Sequence, residues 1–291
     1  MKLRMMALLM GVFVMFSVQA YDKVVYGDDD RLDIFEVQNA MHLLLAKSTA
    51  AMISKSNLKD RGDKVGISGS SLQSRGICAS AKYAKQITAA NCSGFLVGKK
   101  LLVTAGHCVT SAASCNNFRW VFDFNLNTEK QMDFAVSKDS VYSCKKVLSQ
   151  TLNRSTLDDY ALIELDREVT DREPLEVRTE GRVASREALL VIGHPTGLPT
   201  KVADGAMVRK NNNPFFFQAN LDTFAGNSGS AVFSDETGLI EGILVRGETD
   251  YVYNRTLGCK VPKVCSNTGC RGEDVTRITN IKALMDILAQ N

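Results

Sequence analysis

Apolar residues in this chain fall into runs of three kinds. Met5 to Phe16 is a continuous apolar run after Lys2 and Arg4, and Val18-Gln19-Ala20 closes it with small residues. A positive start, an apolar middle and a small-residue end predict an export signal over residues 1–20. The run is shorter than the roughly twenty residues that cross a bilayer, and no cysteine follows Ala20 to take a lipid anchor. From Asp33 to Lys47, Ile34, Phe35, Val37, Met41, Leu43, Leu44 and Leu45 recur among good helix formers, which predicts a short amphipathic helix. Ser48 to Ser54 reads as a strand, and Ser54 to Gly76 is polar, without period, and reads as a surface loop or processing region.

From Asn91 onward the pattern changes to short apolar runs separated by turns. Ser93 to Val97 and Leu101 to Val103 flank Gly98-Lys99-Lys100 as a hairpin. Phe118 to Phe124, Tyr160 to Leu165, Ala188 to Gly193, Phe215 to Ala219, Ser230 to Phe233 and Leu239 to Val245 follow as strands. Repeated strands without helical periods between them predict an all-β sandwich or barrel. Ile278, Ile281, Leu284, Met285 and Leu288 return to helical spacing and predict a C-terminal helix packed on the β structure.

Charge and cysteines narrow the function classes. Removing Lys2 and Arg4 with the leader takes the formal charge from +3 to +1, which gives no electrostatic case for nucleic acid. No block of like charge suggests a membrane surface. All eight cysteines follow the leader, and an even count in an exported chain reads as disulfides. A metal site at Cys259, Cys265 and Cys270 is the competing reading, but their spacing lacks the paired C-x₂-C of common zinc modules.

The chemistry concentrates at Gly226-Asn227-Ser228-Gly229-Ser230. A serine between glycines can present its hydroxyl on a tight turn, but it is a weak nucleophile without a base. Of three histidines, His42 falls in the predicted helix and His194 at a strand-to-turn junction; His107 ends an apolar strand and precedes Cys108. His107 is the best base candidate. A carboxylate must hold the base's tautomer, and Asp159, immediately before the strand from Tyr160, is placed more rigidly than Asp158, which should face solvent.

Together Cys92 to Val97, Thr104-Ala105-Gly106-His107-Cys108, Asp159-Tyr160-Ala161-Leu162 and Gly226 to Ser230 resemble the chymotrypsin-like (trypsin-like) serine proteases, in that family's chain order His, Asp, Ser. Gly106 departs from the usual Thr-Ala-Ala-His-Cys. The resemblance implies two packed six-stranded antiparallel β-barrels with the site between them, a Cys92–Cys108 disulfide, and a triad of His107, Asp159 and Ser228. It also implies an oxyanion hole from the amides of Gly226 and Ser228, and peptide hydrolysis through an acyl-enzyme without metal or organic cofactor. Asn227 and the opening Val24 to Arg31 look like the bacterial glutamyl endopeptidase and exfoliative-toxin branch. Because Asn227 is uncharged, activation should not depend on a new amino terminus pairing with it.

The expected organisation is a signal peptide over 1–20, an N-terminal segment with a short helix over 21–47, a first barrel over 48–168, and a second barrel with the C-terminal helix over 169–291. The expected partner is a polypeptide substrate, with no nucleic acid and no membrane anchor, for a secreted monomer. The alternative is a catalytically silent protease-like binding or toxin-type protein; its usual mark, a lost triad member, is absent. Specificity signals conflict among Asp222, Thr223, Leu244 and Arg246. Strand alternation puts Leu244 and Arg246 on one face, where Arg246 could bind an acidic side chain or neutralise Asp222. Cleavage after Arg or Lys is therefore expected not to dominate.

Overall fold

The computed structural model describes residues 24–290; the expected signal peptide lies outside them. The first half is built on seven strands: β1 (Thr49–Ser54), β2 (Ala90–Gly98), β3 (Leu101–Thr104), β4 (Phe118–Phe122), β5 (Val141–Tyr142), β6 (Cys144–Leu152) and β7 (Asp159–Leu165), in the order β5-β4-β1-β2-β3-β7-β6. The two ends of that order, β5 and β6, are parted only by Ser143, so the run 141–152 meets β4 at its start and β7 along the rest. The sheet is thereby curled round on itself.

The second half closes fully. Strands β8 (Ala188–Gly193), β9 (Lys201–Lys210), β10 (Phe216–Ala219), β11 (Ala231–Ser234), β12 (Ile240–Arg246) and β13 (Glu273–Arg277) pair in the order β8-β11-β12-β13-β10-β9, and β9 returns to β8. This is a six-stranded antiparallel barrel, and with the curled first sheet it makes the expected two-barrel, all-β fold.

Why the strands read as unbroken apolar runs follows from what covers each face. In β8, Leu189 and Val191 enter the second barrel's interior, while Leu190 and Ile192 join a larger core continuous with the first barrel's interior. In β1, Ala50 and Met52 face that larger core, and Ala51 and Ile53 face outward under a separate cover. A strand buried on both faces shows no alternation.

That outer cover corrects the expectation for residues 54–76. Leu58–Arg61 and Lys64–Ile67 form a hairpin, joined by Ala135–Ser137, and Ile67, Phe134 and Val136 pack on Ala51, Ile53 and Val121. Only alternate residues of the hairpin are apolar, and several charged ones face water, which is why composition read it as a loop. The helix expected over 33–47 is also shorter. A single 3₁₀ turn, Ile34–Glu36, precedes helix α1 (Ala40–Lys47), which Asn39 caps by accepting from the amides of Met41 at 2.9 Å and His42 at 3.4 Å. An asparagine that satisfies the orphan amides starts a new helix there. Helix α2 (Ala112–Asn117) lies before β4, and α3 (Lys282–Leu288) ends the described chain with Leu284 buried in the shared core.

All eight cysteines pair: Cys78–Cys259, Cys92–Cys108, Cys115–Cys144 and Cys265–Cys270. Cys259, Cys265 and Cys270 are thus spent in disulfides, which overturns the metal reading. Among the described residues no helix is long and apolar enough to cross a membrane.

Candidate active site

His107 sits in the 3₁₀ turn Gly106–Cys108 that ends β3. The turn is pressed on the backbones of β6 and β7: a Cβ on Gly106 would lie 2.0 Å from the carbonyl oxygen of Thr151 and 2.7 Å from that of Tyr160. An alanine does not fit, which explains the departure from the usual motif. Asp159 begins β7 and is wholly buried. Its Oδ1 accepts from the His107 amide at 3.0 Å and its Oδ2 lies 2.7 Å from His107 Nδ1. Two contacts to one residue fix both the ring's position and its tautomer. Asp158 does not face solvent as expected: it is buried and accepts from Asn280 Nδ2 at 2.9 Å, with burial raising its carboxyl above the usual range.

Ser228 comes from the second half and meets this corner. Gly226 and Gly229 adopt φ of +98° and +88°, a region open mainly to glycine. A Cβ on Gly229 would stand 2.1 Å from the Ser93 carbonyl oxygen and 2.2 Å from Thr104 Oγ1. The Ser228 carbonyl accepts from the Ser93 amide at 2.8 Å and lies 3.7 Å from Cys108 Sγ, beside His107. Ser93 joins the parts: its hydroxyl donates to the Gly226 carbonyl at 2.8 Å and accepts from the His194 amide at 3.0 Å. Sequence reasoning passed over Ser93 because a buried hydroxyl on a strand carries no local signal. Asn227 turns inward, its Oδ1 accepting from Ser230 Oγ at 3.3 Å.

The other histidines serve structure. His194 is buried with Nδ1 3.1 Å from the Leu198 carbonyl oxygen, stacks on Phe124, and is pushed down to about 3 by burial. His42 Nε2 lies 2.8 Å from Asp235 Oδ1. The sulfurs of Cys92 and Cys108 stand near His107 but are bonded to each other.

The four specificity candidates are not brought to one pocket. Asp222 accepts the amides of Tyr26 at 2.7 Å and Asp30 at 3.0 Å, so its carboxylate faces the N-terminal segment; burial pushes it up to about 7. Leu244 is in the second barrel's interior. A bulge between Leu244 and Arg246 breaks the alternation on which a shared face depended, and Arg246 bonds to Asp274 instead. Thr223 donates to Glu273 Oε2 at 3.0 Å. Glu273 is fully buried, and a Cβ on Gly247 would lie 1.7 Å from its Oε2. No residue near Glu273 in the sequence points to it; it is far from the serine along the chain and is brought to Thr223 by the pairing of β13 with β10, where Glu273 stands opposite Ala219.

Against known proteins, the family model described as trypsin-like peptidase domain matches residues 92–243, more than half of the chain. The chain belongs to the trypsin-like peptidase family. It is a serine endopeptidase of that family. Solved structures agree on the fold. A Glu endopeptidase in complex with MPD superposes with a TM-score of 0.54 at 16% identity, covering 92% of this chain and 100% of its own. The Vibrio cholerae VesB protease gives 0.53 at 13%, covering 92% and 68%, and human heparin binding protein 0.53 at 13%, covering 88% and 96%. No curated protein matches by sequence. In this trypsin-like peptidase a cleft of about 680 Å³ opens beside Gly226, lined by Asn57, Arg75, Thr196, Tyr251 and Lys260 among others.

Proposed function

We propose that this peptidase cleaves polypeptides through an acyl-enzyme, with Ser228 as nucleophile, His107 as base and Asp159 as the carboxylate that orients it. The observation that carries the reading is the buried Asp159 carboxylate, held to both the amide and Nδ1 of His107, next to a serine turn clamped by glycines and Ser93. In the first step His107 takes the Ser228 proton as Oγ adds to the substrate carbonyl, and Asp159 stabilises the imidazolium. The amides of Gly226 and Ser228 are proposed to receive the oxyanion, where fixed donors act most strongly in a dry site. His107 then returns its proton to the leaving amine, and water repeats the sequence on the acyl-enzyme.

The substrate chain is proposed to lie along the cleft beside Gly226. The side chain preceding the cleaved bond is proposed to meet a wall made by Thr223, Gly247 and Glu273, in place of Asp222 and Arg246. Arg246 is bonded to Asp274 and is therefore not proposed to neutralise Asp222 or to bind an acidic substrate side chain, and Glu273 is proposed to favour a basic one. Glu273→Gln is expected to shift a peptide-library profile away from basic residues and toward acidic ones. Export after loss of the leader is proposed from the sequence pattern, and the four disulfides support it; a monomer is proposed as well.

Labelling with a fluorophosphonate tests the whole reading. Wild type should take one equivalent on Ser228 and lose peptidase activity, and Ser228→Ala should take none. Absence of labelling in folded wild type would instead favour a silent binding protein.

A further inference from the structure

Arg246 lies beside Asp159. Its Nη1 stands 4.0 Å from Asp159 Oδ2, the oxygen that faces His107 Nδ1. Its Nε donates to Asp274 Oδ2 at 2.9 Å, and its Nη2 donates to the carbonyl oxygen of Leu157, two residues before Asp159. Leu157 has a φ of +62°, a conformation that costs energy in a leucine and persists only where surroundings impose it. The guanidinium is mostly buried and also lies over the Phe216 ring. One arginine of the second barrel therefore ties down the segment of the first barrel that delivers Asp159.

We propose that Arg246 is a positioning residue that clamps Asp159 and offsets part of its charge, and so sets the acid limit of the enzyme's activity. This rests on the triad proposed above. During catalysis the Asp159 carboxylate faces a developing imidazolium, and a second cation near the same oxygen competes for its negative charge. The cationic base is stabilised less than an aspartate alone would allow, so activity extends to lower pH.

Other charges around this corner are accounted for. Asp274 is fully buried and also accepts from Arg271 Nη2 at 2.7 Å and Gln218 Nε2 at 2.8 Å. Asp158 lies next to Asp159, bonded to Asn280, and interacts with both Asp159 and Arg246. From β6 the neutral Gln150 reaches the turn, donating to the Gly106 carbonyl at 3.1 Å. Apart from His107, Arg246 is the cation paired with the Asp159 carboxylate among the ion pairs of the described residues.

Two substitutions of opposite sign test this. The dependence of kcat/KM on pH is measured for wild type, Arg246→Met, Arg246→Lys and Asp274→Asn, with thermal unfolding of each to establish folding. Arg246→Met should raise the acid limb by about one pH unit, and Arg246→Lys should stay near wild type. Asp274→Asn removes a counter-charge from Arg246 and should lower the limb. If Arg246→Met does not fold, the downward shift in Asp274→Asn decides. Acid limbs that coincide, or that move the same way in both variants, overturn the proposal. Failure of the triad reads out separately, as activity that survives Asp159→Asn.

Discussion

Asp158 and Asp159 are adjacent carboxylates with opposite tasks, and the difference lies in what each one touches. Asp159 holds His107 twice, while Asp158 holds Asn280. Asp159→Ala should lower kcat by about 10⁴-fold, against about 10⁶-fold for Ser228→Ala or His107→Ala. Asp158→Ala should leave most activity and appear chiefly as lost stability; steady-state kinetics beside thermal unfolding separates the two. Two other buried groups predict a pH signature. His194 is depressed to about 3, so its native form sheds a proton that the unfolded chain keeps up to about 6.5. Its contribution is present above that pH and is lost as pH falls toward 3. Asp222 is raised from 3.8 to about 7, so its contribution is full below the unfolded value and is lost as pH rises through 7. Between about pH 4 and 6.5 the two slopes oppose, each worth about 1.4 kcal/mol per pH unit. His194→Gln should make stability fall more steeply with rising pH than in wild type, and Asp222→Asn should do the reverse. Denaturant unfolding at several pH values reads both, and variant slopes equal to wild type would refute the assignment.

At the scale of elements, the Cys92–Cys108 disulfide and the hairpin over 58–67 make different kinds of contribution. The disulfide ties the start of β2 to the turn carrying His107. Chain entropy assigns a loop of this length about 3 kcal/mol. Cys92→Ala/Cys108→Ala should lose stability of that order and lower kcat as well, because the turn loses its anchor. By contrast, the hairpin lies on the outer face of β1 and touches no proposed catalytic residue. Ile67→Ala should cost about 2–4 kcal/mol in unfolding with kcat/KM unchanged. Equal losses of activity in both would mean that the hairpin reaches the site. The strands over 93–104 and 160–165 were legible because they are apolar on both faces. The hairpin was not, because its cover is needed by β1 and is not marked in its own residues.

For the whole molecule, the N-terminal segment is part of the site's foundation. Val24 is buried and its carbonyl accepts from the Thr223 amide at 3.2 Å; Val25 and Tyr26 pair with Val264 and Cys265; Asp222 takes two amides from the same stretch. Arg31 is buried over the Phe224 ring and paired with Asp29. Residues 222–224 lead directly to Ser228, so active enzyme should begin at or ahead of Val24. A form beginning at Leu32 should lose about 100-fold or more in kcat/KM, the scale on which small displacements of a site act. Amino-terminal sequencing of active material checks this, and a start near Ile77 would contradict it.

Strand composition by itself carried an all-β sandwich or barrel, and an even cysteine count carried disulfides, because these depend on runs of apolar residues and on residue type. Motif residues in chain order carried the His107, Asp159 and Ser228 candidates and the family resemblance, and the two-barrel architecture came only through that resemblance. What the tertiary structure alone decided is which distant side chains meet. Ser93 beneath the serine turn, Glu273 against Thr223, Arg246 beside Asp159 and the N-terminal segment on Asp222 are contacts between elements far apart in the chain. Their geometry depends on strand register, a single bulge in β12 and the seating of one half on the other, and no neighbouring residue in the sequence reports any of these.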